Sequence, residues 1–206
     1  MNEETHQRLM SIKRSFRLRM NGVAAQSMKD KGVEYKINWG VPLSELKAQA
    51  KDLGKDYELA IELWKEDIRE CKILATMTMP VDRMLPDLTE LWMEQTPSQE
   101  IAEIAAMSLY QYLSYAPVLA FKWIATDKLL YQICGYSILS RLFMNGEEMN
   151  DRGINEFLDE VRSALLSDNI SLKKSAATCL RRFAEINDEY ALVARNATKS
   201  LNLELF

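Results

Sequence analysis

Phe121-Lys122-Trp123-Ile124-Ala125-Thr126-Asp127-Lys128-Leu129-Leu130-Tyr131-Gln132 holds the key to this chain's architecture. Pro117 suits the first turn of a short helix ending near Ala125. Asp127 is placed to cap a second helix that reaches about Met144, where Asn145-Gly146 stops it. A short link between two apolar-periodic segments reads as a helix-turn-helix unit, and the rest of the chain follows the same grammar.

Upstream, Thr5 to Met20 reads as a basic helix with Leu9, Ile12, Phe16 and Met20 on one side. A second helix is expected over 22–31, then a loop to Gly40. Pro42 opens a helix reaching Leu53, and Gly54 stops it. Asp56 caps 57–65, and 67–77 follows. Leu85 to Gln95 is helical. Thr96-Pro97-Ser98-Gln99-Glu100 is a start signal, with Thr96 as cap, for a helix running to about Tyr115. Downstream, helices are expected near 150–166, 169–186 and 188–203. No segment alternates well enough to be a strand. The expectation is about ten to twelve helices in antiparallel pairs, spaced about 35–40 residues apart, within reach of HEAT-type repeats.

The composition agrees. Seven Gly and five Pro in 206 residues leave little room for a turn-rich β sandwich. The length suits one domain spanning residues 1–206, or one short solenoid. Cys71, Cys134 and Cys179 lack metal-type spacing and read as reduced core thiols of a cytoplasmic protein. No apolar run is long enough for a membrane span. His6 is the only histidine, which excludes a multi-His zinc site and leaves Ser-His-Asp chemistry unsupported. No Gly-rich phosphate loop is present.

Net charge is −4, so no positive sheath surrounds the molecule, yet a local basic patch remains compatible with a polyanion. Residues 1–36 carry eight Lys/Arg against four Asp/Glu, whereas residues 58–103 carry eleven Asp/Glu against four Lys/Arg. Arg14 and Arg17 near one end, and Lys173, Lys174, Arg181 and Arg182 near the other, are candidate phosphate contacts. The plainer reading is solvated helix faces. Tyr110, Tyr112, Tyr115, Trp123, Tyr131 and Tyr136 form an aromatic-rich centre, either interhelix core or a stacking surface for nucleic acid.

Three segments resemble the DNA alkylation repair family, the bacterial HEAT-like DNA glycosylases of the AlkD type. They are Gly40-Val41-Pro42-Leu43-Ser44-Glu45-Leu46 with Glu62-Leu63-Trp64, then Lys122-Trp123-Ile124-Ala125-Thr126-Asp127, then Lys173 to Ala184 with Ile186-Asn187. The resemblance implies an all-α superhelix of HEAT-like repeats, a curved solenoid whose concave basic face grips duplex or structured DNA, alkylated or branched. It implies no metal or organic cofactor, and a monomer.

In the glycosylases it resembles, a carboxylate and aromatic faces stabilise the oxocarbenium-like sugar left when a cationic alkylated base departs. Here the pattern departs from the family's. The family's Trp-x-x-x-Asp falls on Gln99 to Glu103, its Arg on Ile133, and the Trp of its penultimate helix on Thr178. The resemblance therefore implies DNA binding, with alkylpurine N-glycosidic hydrolysis lost or altered. Glu103 is the candidate catalytic carboxylate, while Glu100 fits a first-turn charge on the helix dipole. The alternative is a non-catalytic HEAT-repeat scaffold for a protein partner, which the acidic 58–103 segment favours.

Overall fold

The computed structural model describes residues 2–201. Among them stand twelve α-helices and no strand. They are α1 (Glu3–Leu18), α2 (Gly22–Asp30), α3 (Leu43–Leu53), α4 (Tyr57–Lys65), α5 (Arg69–Thr78), α6 (Pro86–Glu94), α7 (Gln99–Ser108), α8 (Ala116–Ile124), α9 (Leu129–Met144), α10 (Asp151–Leu166), α11 (Ile170–Ala184) and α12 (Asp188–Thr198). Among the described residues no helix is long and apolar enough to cross a membrane. The chain divides into two compact units, Met1–Leu109 and Tyr110–Phe206.

Helix starts follow side-chain chemistry. Asn2, Asn21, Asn150, Asn169 and Asn187 each accept a hydrogen bond from a first-turn backbone N–H, as do Asp56 and Ser98. A short carbonyl, carboxylate or hydroxyl oxygen at this position satisfies a donor the helix leaves open. Two expected starts differ. Ser98, not Thr96, caps α7; the Thr96 hydroxyl instead donates to Trp92 O at 2.8 Å and closes α6. Asp127 does not cap α9, whose N-cap is Lys128 with no side-chain bond. The helix expected to reach Tyr115 ends at Ser108, and a 3-10 turn over Tyr110–Tyr112 precedes α8. The final helix ends at Thr198 with a 3-10 turn to Leu201; the last residues expected in it lie outside the described residues.

In the first unit α5 is the hub, packed on α3, α4 and α7. Of its ten residues only Met77 keeps appreciable exposure. In the second unit α9 packs on α8 and α11, and α11 also packs on α10 and α12. Each hub thus touches both its sequence neighbour and the helix two further along. That is how stacked helix pairs close a core that no single pair could bury.

Two details set the spacing within the second unit. Gly135 of α9 faces α8 so closely that a Cβ there would lie 2.8 Å from Ile124 Cγ2 and 2.9 Å from Ala120 O. Phe143, Phe157 and Phe183 meet at ring-centroid distances of 5.1–5.5 Å, and Tyr190 stacks on Phe183 at 4.5 Å. Each ring comes from a different helix, α9 to α12. The central aromatics are chiefly core: Tyr110, Trp123 and Tyr136 are fully buried, and Trp123 meets Tyr110 and Tyr131 edge to face at 5.6 Å. Tyr112, by contrast, is 60% exposed. Cys71, Cys134 and Cys179 are free and buried, and burial pushes the thiols of Cys71 and Cys179 up.

Candidate nucleic-acid interface

The basic helix α1 buries Thr5, Leu9, Ile12 and Phe16, a stripe at helical spacing that packs on α4. Cations flanking the stripe are occupied. Arg8 pairs with Asp56, and Lys13 Nζ lies 2.7 Å from Glu66 Oε2. Arg19 Nη1 donates to Gln49 Oε1 at 3.3 Å. Arg17 stands exposed with its guanidinium carbon 5.6 Å from the Trp39 ring centroid. Arg14 is exposed and forms no ion pair among the described residues. Arg14 and Arg17 are therefore the charges that α1 turns outward.

In the second unit α11 buries Leu172, Ala176, Cys179, Leu180 and Phe183. Lys174, Thr178 and Arg181 are exposed at i, i+4 and i+7, which puts them on one outward face. Arg181 Nη2 lies 3.4 Å from Thr178 Oγ1. Arg182 Nη1 lies 2.7 Å from Glu185 Oε2, which occupies that guanidinium, and Lys173 is half-buried. Thr178 stands where the family resemblance puts a Trp, so this face is cationic without an aromatic plate. Ile133, at the expected Arg position, is fully buried in α9.

The α7 carboxylates have different surroundings. Glu103 is exposed and accepts a hydrogen bond from Gln99 Nε2 at 2.7 Å. Glu100 turns to the buried Arg69 of α5: Arg69 Nε donates to Glu100 Oε2 at 2.8 Å and Nη2 to Oε1 at 2.6 Å. The Tyr35 hydroxyl donates to the same carboxylate at 2.5 Å and lies 2.7 Å from Ser98 Oγ. Arg69 Nη1 donates to Val41 O and to Glu70 Oε1, both at 3.1 Å. Glu70, wholly buried, accepts from the backbone N–H groups of Trp39 and Val41.

The electrostatics follow from that wiring. Burial would raise the Glu100 pKa, but the Arg69 and Tyr35 hydrogen bonds outweigh it and hold it below the usual carboxylate range. Burial alone would lower the Arg69 guanidinium; the Glu100 hydrogen bonds, with the charges of Glu100 and Glu70, raise it instead. Burial pushes the Tyr35 hydroxyl up, and its Glu100 partner adds to that. Both oxygens of Glu100 are thus taken, and the network ties the 32–42 loop to α5 and α7. Its only trace in the sequence is the adjacent pair Arg69-Glu70 at the head of an otherwise largely apolar helix, a signal that sequence reasoning missed.

Two further features carry no motif. A cavity of about 430 Å³ in the first unit has Met77 and Met107 on its lining and Lys47, Lys51 and Lys55 around it. Lys55 is already engaged, donating to Met77 O and Met79 O at 2.9 and 3.1 Å, and burial lowers its pKa. Trp64 and Trp92 stack at 4.2 Å and 4°, with Lys72 Nζ 4.5 Å from the Trp64 ring centroid. That stack is core, because both rings are almost fully buried.

Helices stacked in this way make an all-α, HEAT-like helical-repeat fold. The sequence pattern described as DNA alkylation repair enzyme matches residues 12–201, and the chain belongs to that family. Its fold is similar to a solved structure described as a new family of proteins related to the HEAT-like repeat DNA glycosylases with affinity for branched DNA structures. The TM-score is 0.83 at 17% identity, covering 94% of this chain and 83% of that chain. No curated protein matches the chain.

Proposed function

We propose that this chain binds duplex or branched DNA as a monomer through the basic helix faces of α1 and of α11. The observation that carries the reading is the sorting of cations on α1 and α11. Arg8, Lys13 and Arg182 are held in ion pairs, whereas Arg14 and Lys174 face solvent without one among the described residues. Arg17 and Arg181 stand beside them on the same helices, and Lys173 and Arg182 flank the second face. Outward cations at helical spacing suit phosphates, which position a duplex without reading its sequence. The family and the related structure's affinity for branched DNA support the same ligand class.

The test is titration of fluorescent duplex and four-way-junction DNA at several salt concentrations. Binding that weakens with a steep logarithmic salt slope supports the reading. Saturable binding that is indifferent to salt counts against it.

A catalytic role rests on Glu103. Its carboxylate is exposed and, apart from Gln99, open to a substrate, as a group facing an oxocarbenium-like sugar would need to be. The reaction would be hydrolysis of the N-glycosidic bond of an alkylpurine, leaving the free base and an abasic sugar. With Ile133 and Thr178 where the resemblance puts an Arg and a Trp, the expectation is activity lost or altered. Base release from N3- or N7-alkylpurine duplex, abolished by Glu103→Gln, is the supporting result; no release at high enzyme excess removes the enzyme reading. The acidic 58–103 segment favours a protein-binding scaffold as the second reading, but Glu66, Glu70 and Glu100 of that segment are occupied by Lys13 and Arg69.

A further inference from the structure

The corner between α1 and α2 exposes large apolar side chains on a braced backbone. Leu18 is 88% exposed, Val23 83% and Met20 57%. Exposed apolar groups scattered singly need no explanation, but here three fall within six consecutive residues. The corner is also built rigidly. Asn21 N donates to Trp39 O at 2.9 Å, and Asn21 Oδ1 accepts from Ala24 N at 3.0 Å to start α2. Gly40, at φ 68°, lies against it so tightly that a Cβ would come 2.2 Å from Asn21 O. Any other residue at 40 would force that backbone apart.

The chain through the corner is basic, although Glu34 lies near Gly22 and Lys29, and Arg8 and Lys13 are paired with Asp56 and Glu66. From Arg8 to Lys29 the sequence holds six Lys/Arg and no Asp or Glu. Arg14 and Arg17 face outward on the last turns of α1 leading to the corner, and Arg19 sits within it. The apolar stripe of α1 is spent on α4, so this is not a helix free to lie on a lipid surface. A rigid apolar tip amid cations fits a polyanion that can open an apolar gap. Nucleic acid with unstacked bases has that chemistry: phosphates for the cations, exposed base faces for the tip.

We infer that Leu18 and Val23, with Met20 between them, form a wedge that stacks against unpaired or unstacked bases at a DNA branch point, while Arg14 and Arg17 hold the adjoining phosphates. The inference rests on the DNA-binding reading and adds to it a source of preference for branched over continuous duplex. Unstacking is cheapest where stacking is already broken, so a wedge favours junctions and leaves continuous duplex binding to the cations.

The test uses the full chain, unmodified and as Leu18→Ser/Val23→Ser, with an immobile four-way junction and a continuous duplex of equal length at the same salt. Both substituted side chains are exposed, so the thermal midpoint stays put and folding is checked directly. The unmodified chain prefers the junction. The double variant loses about tenfold in junction affinity, equivalent to about 1.4 kcal/mol, and keeps duplex affinity within about twofold. A 2-aminopurine at the branch point brightens with the unmodified chain and not with the variant. Unchanged junction preference in the variant overturns the wedge, as does an unmodified chain that brightens no base. Loss of binding to anionic vesicles, or of self-association, with DNA preference intact also overturns it. Failure of the underlying DNA reading looks different: the unmodified chain then binds neither DNA at low salt.

Discussion

Arg69 and Glu100 form a two-point ion pair, Nε to Oε2 at 2.8 Å and Nη2 to Oε1 at 2.6 Å, linking the start of α5 to the first turn of α7. The guanidinium side chain is 2% exposed and the carboxylate side chain 29%. A fork of this kind fixes angle as well as distance, so it sets how α7 lies on α5. Removing the carboxylate leaves a buried cation with only Glu70 and a carbonyl. Glu100→Ala is expected to cost about 3 kcal/mol, read as a lower urea midpoint at unchanged slope. A loss under about 0.5 kcal/mol would show that the pair is incidental to the fold.

The same carboxylate gives an acid-side signature. Its folded pKa lies below the ordinary carboxylate value, so its contribution is complete above about pH 4.3 and fades as pH falls through the depressed folded value. Stability of the unmodified chain should therefore fall as pH drops below that range, and Glu100→Gln should fall less over the same window. Parallel urea midpoints across pH 3–6 for the two proteins would contradict the assignment.

Gly135 supplies a packing prediction. A methyl group there meets Ile124 and the Ala120 carbonyl well inside contact distance. Gly135→Ala should destabilise by about 1–3 kcal/mol, because overpacking α8 against α9 outweighs the usual gain from Ala in a helix. Thermal or urea unfolding measures it, and a stabilised variant would mean that α8 and α9 separate easily.

On α11, Lys174 and Arg181 share the outward face on either side of Thr178. Lys174→Gln/Arg181→Gln should weaken duplex and junction binding together and flatten the logarithmic salt dependence by about two, one for each phosphate that the variant leaves unneutralised. Thr178→Trp, which restores an aromatic to this face, should strengthen binding. Fluorescence anisotropy across a salt series reads both effects.

The helical repeat was legible because it depends on local rules. Asp56 and Gly54 punctuate α4 and α3 where expected, and the stretch from Phe121 to Gln132 contains the end of α8 and the start of α9. The junction near Thr96 was harder. Thr96 and Ser98 both carry capping groups, but the Thr96 hydroxyl is taken up donating to Trp92 O of the preceding helix, which leaves Ser98 Oγ to accept from Ile101 N; Asp127, at a different junction, does not cap α9. The exposed cations were also only half legible. Helical spacing placed Arg14 and Lys174 on outward faces, but the pairing of Lys13 with Glu66 joins residues far apart in sequence. The Arg69–Glu100 lock and the Leu18–Val23 corner are tertiary facts of the same kind, since periodicity says nothing of what a loop brings to a helix end.

The most direct measurement is the affinity of the unmodified chain and of Arg14→Gln/Arg17→Gln/Lys174→Gln/Arg181→Gln for one four-way junction at low salt. The unmodified chain should bind, with affinity falling steeply as salt rises, and the quadruple variant should lose about a hundredfold or more while keeping its fold. Equal affinity in the two proteins, or no binding by the unmodified chain at the lowest salt, would contradict a nucleic-acid role for these helix faces.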